Sequence, residues 1–404
     1  MPTDERNLIR DLATQYRELA ESDEYETRRK RWRDVLGLRK PDRAPVWLRP
    51  AAVWNELLPQ SDLVCRDPYL RACEHRLRMD LIHHDLGDDH VMEPWWEVGA
   101  VFECDSEFVW GVQTQVLTGS TDQGGWRFKP PLQTPEDFEK VTLPTWTYRS
   151  QKSAQALAQA QDLFDGVLEV RLTCQPHLHQ TLGAYVDQLR GMAEMMLDLY
   201  LQPHLIHRLN AKILEACLRD LRAVEDSGVL TPNNFGGMRC SDPINGNPPP
   251  GQVRLHNLWA DGNSQEFDEV SPAMWEEFLL NYQMPVFQQF GLSQYGCCER
   301  LTEKILGILR IPNLRTFVCS FWTDLDQVIE AVGQKYCIMW RQSAAEVTLP
   351  DTLQATEKHL DESLRKLQGH YYQVVLRELQ TEGGHPGRLK EFAKLAIAKA
   401  EQWA

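Results

Sequence analysis

The sequence predicts an α/β fold, a (β/α)8 TIM barrel with an N-terminal helical cap and an extra hairpin or loop insertion. Predicted strands and helices alternate from residue 166 onward, which is typical of right-handed parallel βαβ units. About eight such strands within 404 residues favour a closed barrel over an open, doubly wound sheet. No repeat and no clear interdomain linker divides the sequence.

The first 43 residues predict a helical extension that precedes a single barrel domain, residues 44–404. Two charged segments with a helical period, Glu5–Ser22 and Asp23–Leu36, support this division. Arg43–Arg49 then predicts the first strand, with a proline near its start, where a missing N–H is tolerated.

The middle of the chain predicts the insertion and the first regular βα units. Val91–Trp126 is rich in Trp, Phe and Gly and has no helical period, so it predicts hairpins or long loops. Gly166–Cys174 predicts a strand. Two helices with a strong apolar period should follow, Ala184–Leu201 and Pro203–Ser227.

Short apolar runs predict the strands of the C-terminal part, and helical patterns separate them. One helix start is explicit: Ser271 can cap it, with Pro at the first helical position and Glu in the first turn. The predicted strands are Val253–Trp259, Phe290–Cys297, Leu314–Ser320, Tyr336–Gln342 and Tyr371–Leu379.

The charge balance excludes two classes of partner. The chain has 43 basic and 58 acidic residues and a net charge of −15, whereas nucleic acids and anionic membranes require a basic face. No apolar run approaches the roughly 20 residues of a membrane span, and the start has no signal-peptide core. The ten cysteines are therefore expected as free thiols in a reducing cytoplasm.

Three thiols and a carboxylate fall near the ends of predicted parallel strands, where side chains converge. Cys297 and Cys298 close one strand, Cys319 ends the next, and Glu378 lies near the end of the last. Catalytic zinc takes three ligands from Cys, His and carboxylates, so these residues are candidate ligands. On an extended strand only one of Cys297 and Cys298 faces the barrel axis. The alternative is buried core thiols and a surface carboxylate.

Other side chains are candidates for substrate binding and proton transfer. Trp95 and Trp96 could stack on an aromatic ring, and Glu97 could take a phenol or hydroxyl proton. A Trp-rich packing corner with a solvated Glu97 is the alternative. His177 and His179 directly follow a predicted strand, and a His-x-His sequence could act as a ligand pair at the site; plain polar loop surface is the alternative.

A third group is predicted at or just past strand ends, facing the same side of the barrel. It consists of Trp322, Trp340 and Arg341. Arg341 could bind a substrate carboxylate through two parallel hydrogen bonds. Helix capping or a structural ion pair is its alternative role.

From about Ala44 onward the sequence resembles the uroporphyrinogen decarboxylase superfamily. That family shares a (β/α)8 barrel and includes zinc-dependent methyltransferases that work with corrinoid proteins. Four places carry the resemblance: Pro45–Arg49, Leu182–His207, Val270–Phe278 and Ser293–Glu299. The last of these lies where the methyltransferases carry a His-x-Cys-Gly motif.

The resemblance implies a mixed thiolate and carboxylate zinc site. Tyr295 stands in place of the family His, and Cys297 in place of its Cys. Cys319 falls about where related cobalamin-independent methionine synthases place a zinc-binding Glu, and Glu378 about where both groups place a final Cys. Cys298 competes with Cys297 for the metal. The decarboxylases' second arginine is missing after Arg49, which disfavours decarboxylation.

The predicted function is therefore a zinc-dependent methyltransferase of the O-demethylase type. It would move a methyl group from a small methoxylated aromatic substrate to the Co(I) of a corrinoid (cobalamin) protein, with Glu97, Tyr295 or a histidine as proton donor. Methyl transfer from methylcobalamin to a thiol is the first alternative, and a uroporphyrinogen decarboxylase-like reaction the second. A barrel that only binds a ligand is the non-enzymatic alternative. The sequence does not fix the oligomeric state, for which a homodimer is one candidate.

Overall fold

The computed structural model describes residues 3–118 and 126–404. Residues 119–125, part of the predicted hairpin segment, lie outside the described residues. The helices are α1 Thr3–Ala20, α2 Asp23–Leu36, α3 Trp54–Leu57, α4 Pro68–Leu86, α5 Ser150–Phe164, α6 Leu182–Arg190, α7 Met192–Leu201, α8 Pro203–Asp226, α9 Pro272–Trp275, α10 Asn281–Phe287, α11 Ile305–Ile308, α12 Leu325–Val332, α13 Ala344–Thr348, α14 Gln354–Leu367 and α15 Arg388–Gln402.

Twelve strands are found in the part of the chain that the structure describes. They are β1 Val46–Pro50, β2 Trp95–Gly99, β3 Phe102–Cys104, β4 Gln115–Thr118, β5 Trp126–Lys129, β6 Trp146–Tyr148, β7 Glu169–Thr173, β8 Trp259–Gly262, β9 Leu292–Tyr295, β10 Leu314–Cys319, β11 Cys337–Gln342 and β12 Tyr371–Leu379.

Eight of these strands are parallel and belong to two sheets. Six form a curled sheet in the order β1-β12-β11-β10-β9-β8, and β2 pairs with β7. Backbone hydrogen bonds reach from the loops toward the gaps between the sheets: Asp89 N donates to Val46 O at 2.7 Å, and Thr231 N to Cys174 O at 3.1 Å. The predicted eight-stranded barrel is thus confirmed in part, as an α/β fold with a curled parallel half-barrel.

Side chains of the large sheet alternate between two apolar layers, as the period of two requires. Trp47, Met339 and Val375 point to the inner side and pack together there. Their neighbours Leu48, Trp340 and Leu376 belong to the main core on the outer side. At the level of these residues, apolar side chains therefore fill the concave interior of the sheet. Reactive side chains have room only at the edge where the strands end.

The two N-terminal helices form as predicted. Ser22 caps α2 by accepting a hydrogen bond from Tyr25 N. α2 buries Trp32 and Val35 in a cluster that includes Trp259 and Cys337 of the sheet. Its apolar face thus lies against strand residues of the barrel-like body.

The predicted hairpin insertion is only partly hairpin. β4 and β5 form an antiparallel pair, and β3 pairs antiparallel with β6. β2, however, belongs to a parallel pair with β7. The Trp-rich segment therefore contributes one parallel strand, β2, as well as the antiparallel strands of the insertion.

Two predicted elements have different bounds. The strand predicted at Val253–Trp259 begins only at Trp259, because Leu255–Asn257 forms a 3-10 turn. The helix predicted at Ala184–Leu201 is divided into α6 and α7 by Gly191, whose φ of +84° interrupts the helical backbone.

Within residues 3–118 and 126–404, none of the helices combines the length and the apolar composition that crossing a bilayer requires.

Candidate functional site

Cys297, Cys298 and Glu378 meet at the carboxyl edge of the large sheet, the edge where its parallel strands end. The two sulfur atoms are 3.4 Å apart, and Cys298 Sγ donates to Glu378 Oε1 at 3.1 Å. The three potential ligand atoms all lie within 4.8 Å of one another. All three side chains are half-buried. The structure thus brings together three of the four predicted metal ligands.

Gly296 explains why both thiols face the same point. β9 ends at Tyr295, and Gly296 has a φ of +118°, a conformation that favours glycine. The backbone turns there, so the alternation expected for an extended strand no longer applies to Cys297 and Cys298. The prediction that only one of them faces the interior is corrected for this reason.

A bulge in β12 turns Glu378 toward the thiols. Leu376 pairs with Leu48, but Leu379 pairs with Pro50, so β12 holds one residue more than β1 over this stretch. Glu378 has a φ of +62°, which is uncommon for a residue other than glycine. The bulge lets the consecutive side chains of Arg377 and Glu378 approach the same pair of sulfurs.

Two guanidinium groups flank this group of ligands. Arg341 Nη1 lies 3.8 Å from Cys297 Sγ and 4.0 Å from Cys298 Sγ. Arg377 Nη1 lies 3.9 Å from Cys297 Sγ. Glu378 Oε1 is 3.8 Å from Arg341 and 3.6 Å from Arg377. Arg341 was predicted to bind substrate; in the structure it is buried beside the thiols.

These contacts separate the two thiols chemically. The contact with Cys298, whose sulfur is 3.4 Å away, lowers the pKa of Cys297, and the charges of Arg341 and Arg377 lower it further. The same contact raises the pKa of Cys298, with burial and Glu378 adding to the effect. Cys297 is therefore the thiolate of the pair, the form that acts as nucleophile or metal ligand.

Glu299 holds the turn that carries the thiols, a role the sequence did not reveal. Its carboxylate accepts from Cys297 N at 2.7 Å and from Ser264 N at 2.8 Å. Its carbonyl accepts from Ser320 Oγ at 2.7 Å. Glu299 is buried, and burial raises its pKa. Its position two residues after Cys297 gave no recognisable motif.

Cys319 lies apart from the other predicted ligands. Its Sγ is 3.9 Å from Ser320 O and 3.8 Å from Thr323 O. It is buried in the main core, and burial raises its pKa to about 12. Cys319 ends its strand in the extended conformation, so its side chain follows the outer apolar layer. The expectation that it joins the ligands is corrected accordingly.

Tyr295, a predicted proton donor, points into the core. Its hydroxyl donates to Gln283 Oε1 at 3.0 Å and accepts from Trp275 Nε1 at 3.2 Å. The side chain is fully buried, and burial raises its pKa. With its hydroxyl committed to these partners, Tyr295 serves packing in this structure.

Trp95 and Glu97 line a cavity of about 470 Å³. Trp95 lies under the guanidinium of Arg171, 3.8 Å from the ring centroid, and its Nε1 is 3.4 Å from Glu97 Oε1. Burial raises the pKa of the neighbouring Glu93 to about 7. Trp96 points the other way, into a helical core, as alternation along β2 requires. Only one of the two predicted tryptophans is therefore available to a ligand in this cavity.

His177 and His179 have structural partners. His177 Nδ1 lies 2.7 Å from Asp220, and its ring stacks on Trp146 with centroids 4.4 Å apart. His179 stacks on Tyr185, with centroids 4.1 Å apart, and burial lowers its pKa. Neither belongs to a group of metal-ligating side chains among the described residues.

Trp322, Trp340 and Arg341 were expected to face the same side of the barrel, but neither tryptophan does so. Trp340 precedes Arg341 on an extended strand, so it points outward and packs in the main core against His359. Trp322 follows β10 in a turn and is 63% exposed. Trp322 alone of these aromatic rings stays open to solvent beyond the carboxyl edge.

Glu266 is a further carboxyl near the thiols that the sequence did not single out. Its Oε2 is buried without a hydrogen-bond partner. Burial, followed by the charges of Asp187, Glu299 and Cys297, raises its pKa to about 7. It can therefore hold a proton near neutral pH close to the site.

Comparison with solved structures supports the fold. The chain is similar to a methyltransferase from Methanosarcina mazei, with a TM-score of 0.54 and 12% sequence identity, over 93% of this chain and 98% of that protein. At this identity the similarity shows a shared α/β architecture. No family model and no curated protein matches the sequence.

Proposed function

We propose that this protein is a zinc-dependent methyltransferase that moves a methyl group from an aryl methyl ether to the cobalt of a corrinoid protein. The convergence of Cys297, Cys298 and Glu378 at the carboxyl edge carries the proposal. A structural neighbour named as a methyltransferase, which covers nearly the whole chain, supports the general class.

The donor set fits zinc. Zn²⁺ binds thiolate sulfur and carboxylate oxygen, and three protein ligands leave a fourth position open for a substrate atom. Cys297 is already favoured as the thiolate by Cys298, Arg341 and Arg377. Zn²⁺ held by Cys297, Cys298 and Glu378 would supply the Lewis acidity that stabilises the oxygen losing its methyl group.

The surrounding residues would orient the substrate and control its protons. Arg341 and Arg377 keep positive charge beside the anionic ligands, which offsets the cost of holding them in a half-buried site. Trp95 offers an aromatic face in the cavity next to Glu97. Of the predicted proton donors, Glu97 lines this cavity, and Glu266 adds a second carboxyl that holds a proton near neutral pH.

The proposal includes a closed barrel of eight parallel strands. The loop hydrogen bonds of Asp89 to β1 and of Thr231 to the end of β7 support closure around β2 and β7. Asn233 Oδ1 also accepts from Trp259 N at 2.8 Å, which ties the segment after α8 to β8. Closure would place the cavity beside Trp95 on the same ring of strands as the thiols.

Metal content tests the proposal directly. We expect about one zinc per chain in protein purified without chelator, measured by mass spectrometry of the metal. Cys297→Ser, Cys298→Ser and Glu378→Gln should each lower this content strongly, because each removes one of three ligands. Cys319→Ala is the matched control and should retain zinc. A wild-type protein that stays metal-free after zinc reconstitution would contradict the proposal.

The zinc-loaded protein should then methylate a reduced corrinoid protein in the presence of methoxylated aromatics, with formation of methylcobalamin followed by its absorbance. If methyl groups are transferred only to thiols, the result would instead favour the alternative reaction, in which methylcobalamin donates its methyl group to a thiol at the same site. Protein with intact zinc but no methyl transfer in either direction would overturn the methyltransferase assignment.

A further inference from the structure

The two neighbouring thiols at the carboxyl edge are close enough to react with each other. Cys297 Sγ and Cys298 Sγ are 3.4 Å apart, and both side chains are half-buried. Their approach follows the turn at Gly296, whose φ is +118°. A bond between them requires a further approach of roughly 1.4 Å, to the usual S–S distance of about 2.0 Å. The pair is therefore a candidate for disulfide formation within one chain.

Positive charge beside Cys297 makes its sulfur the attacking group. Arg341 Nη1 lies 3.8 Å from this sulfur, and Arg377 Nη1 lies 3.9 Å from it. Neighbouring guanidinium groups favour the thiolate, which is the form that reacts with oxidants. Cys298 instead donates its proton to Glu378 Oε1 at 3.1 Å. One sulfur is thus placed as the nucleophile, and the other as the second thiol that closes the bond.

The other cysteines lack this combination. Of the ten free cysteines, Cys104, Cys297 and Cys298 are partly exposed, and the rest are buried. Cys104 has an acidic neighbour in place of the two arginines, since its Sγ lies 3.8 Å from Asp105 Oδ1. Accessibility, positive charge and a second sulfur therefore coincide only at Cys297 and Cys298 among the residues that the structure describes.

We propose that Cys297 and Cys298 form a reversible disulfide when a peroxide is present, and that this disulfide switches off the metal site. The switch rests on the proposed function, because it acts by removing two of the three proposed zinc ligands. Zinc binds thiolates, and a disulfide sulfur carries no negative charge. Glu378 would be left as the single ligand, between Arg341 and Arg377. Zinc would then leave the oxidised site.

The reaction has two steps and consumes one molecule of hydrogen peroxide. The Cys297 thiolate attacks one peroxide oxygen, the O–O bond breaks and hydroxide leaves, so that Cys297 becomes a sulfenic acid. Cys298 then passes its proton to Glu378, and its sulfur attacks the sulfur of Cys297. The S–O bond breaks, and the departing hydroxide takes the proton from Glu378 and leaves as water. The two sulfurs together lose two electrons, which reduce the peroxide to hydroxide and water.

A disulfide between adjacent cysteines should be easy to reduce. Consecutive Cα atoms are about 3.8 Å apart across a trans peptide bond, below the usual range of about 4.4–6.8 Å for cysteines joined by a disulfide. A departure from the preferred geometry strains a disulfide and makes it more reducible. A dithiol reductant should therefore open the bond and return both zinc ligands.

Peroxide treatment of the full-length, chelator-treated protein tests the pair without any metal. After exposure to graded hydrogen peroxide, free thiols are blocked with N-ethylmaleimide, and the peptide with both cysteines is identified by mass spectrometry. We expect this peptide to lose two hydrogen atoms and to carry no maleimide, and dithiothreitol should restore both thiols. Its oxidation should be at least about tenfold faster than that of Cys104, the internal control with a partly exposed thiol.

Variants separate the two roles within the pair. In Cys298→Ser, oxidation of Cys297 should stop at the sulfenic acid, which dimedone traps, whereas Cys297→Ser should leave Cys298 reduced at the same peroxide concentration. Arg377→Gln should slow disulfide formation several-fold, and Arg377→Lys should restore most of the rate, because positive charge favours the thiolate.

Three results with the wild type would overturn the inference, and none of them depends on a variant that folds. They are sulfinic acid at Cys297 without an internal disulfide, a disulfide that joins two chains, and oxidation of the pair no faster than that of Cys104.

Zinc separates this inference from the proposed function. Zinc-loaded protein should form the disulfide markedly more slowly, and oxidised protein should bind no zinc until it is reduced. A protein that never binds zinc but forms the disulfide reversibly would contradict the proposed function and leave the thiol pair as a site of oxidation. An active, zinc-loaded enzyme whose sulfurs do not join after chelation and peroxide treatment would do the reverse. Oxidised protein that keeps its zinc would overturn the switch.

Discussion

At the scale of single residues, Glu266 shows how burial sets the protonation state beside the thiols. Its Oε2 has no hydrogen-bond partner, and its pKa is raised from 4.5 to about 7 by burial and neighbouring negative charge. The folded protein therefore holds this proton more tightly than the unfolded chain does. By linkage, stability is full below the unfolded pKa and falls as the pH rises through the folded pKa.

We expect Glu266→Gln to abolish this pH dependence. The wild type should lose about 3 kcal/mol of unfolding free energy relative to the variant between about pH 4.5 and pH 8, since one pKa unit corresponds to about 1.4 kcal/mol. Urea unfolding at several pH values measures the difference. Glu269→Gln, an exposed neighbour, is the control and should show no such change. A constant difference between wild type and Glu266→Gln across this range would contradict the assignment.

At the scale of elements, two local departures from regular strand geometry build the site. Gly296 ends the extended run of β9 at a positive φ, and the bulge at Glu378 shifts the register of β12. Regular strands would turn Cys298 away from Cys297 and Glu378 away from Arg377. The metal ligands therefore depend on backbone conformation as much as on the residues themselves.

Gly296→Ala should test that dependence. A Cβ at Gly296 would lie 2.8 Å from both Leu301 Cδ1 and Val318 Cβ, at a φ that side chains rarely adopt. We expect a loss of about 2 kcal/mol or more in unfolding free energy, together with weaker zinc binding. Gly228→Ala is the control: it has a positive φ but no neighbour within 4 Å, so it should cost about 1 kcal/mol and leave zinc binding unchanged. Zinc affinity that is equal in both variants would contradict the role of Gly296.

These two departures from regular strand geometry could not be predicted from the sequence, whereas most of the strands that carry them could. The strands at β10, β11 and β12 are predicted closely, because each is an apolar run between helical patterns. β8 is displaced because a short apolar run does not distinguish a strand from a 3-10 turn. Cys297, Cys298 and Glu378 were all predicted as ligands, and they do lie together. Cys319 does not join them, because its side chain follows the alternation of an extended strand, whereas the backbone turns before the other two thiols. A positive φ at a glutamate leaves no trace in the sequence.

Arg377 was missed for a different reason. Its position beside the thiols depends on the register of β12 against β1, in which Trp47 lies opposite Val375, and on the bulge that follows. Sequence patterns place a residue on a strand, but they do not show which residues of distant strands share its level.

At the scale of the whole molecule, the N-terminal helices contribute to the core of the barrel-like body. Trp32 is fully buried, and its Nε1 donates to Asp89 O at 2.9 Å. Arg31 Nη1 lies 2.5 Å from the same Asp89, whose carboxylate also accepts from Val46 N. α2 therefore supports the segment that joins β1 to β2. The predicted domain boundary after residue 43 separates elements that share one hydrophobic cluster.

A chain of residues 44–404 should for this reason fail to fold cooperatively. This truncation removes α2. The cluster of Trp259, Cys337 and Tyr371 is then exposed, and Asp89 loses its arginine partner from that helix. Loss of Trp32 alone is expected to cost about 3–5 kcal/mol, a large part of the stability of a typical domain. Differential scanning calorimetry and near-ultraviolet circular dichroism should show no sharp transition for the truncated chain. A chain lacking only residues 1–4 keeps Ile9, the first buried hydrophobic side chain among the described residues of α1, and should unfold like the full-length protein. If residues 44–404 instead unfold cooperatively near the full-length transition temperature, the helices are a dispensable extension and α2 does not hold the β1–β2 junction in place.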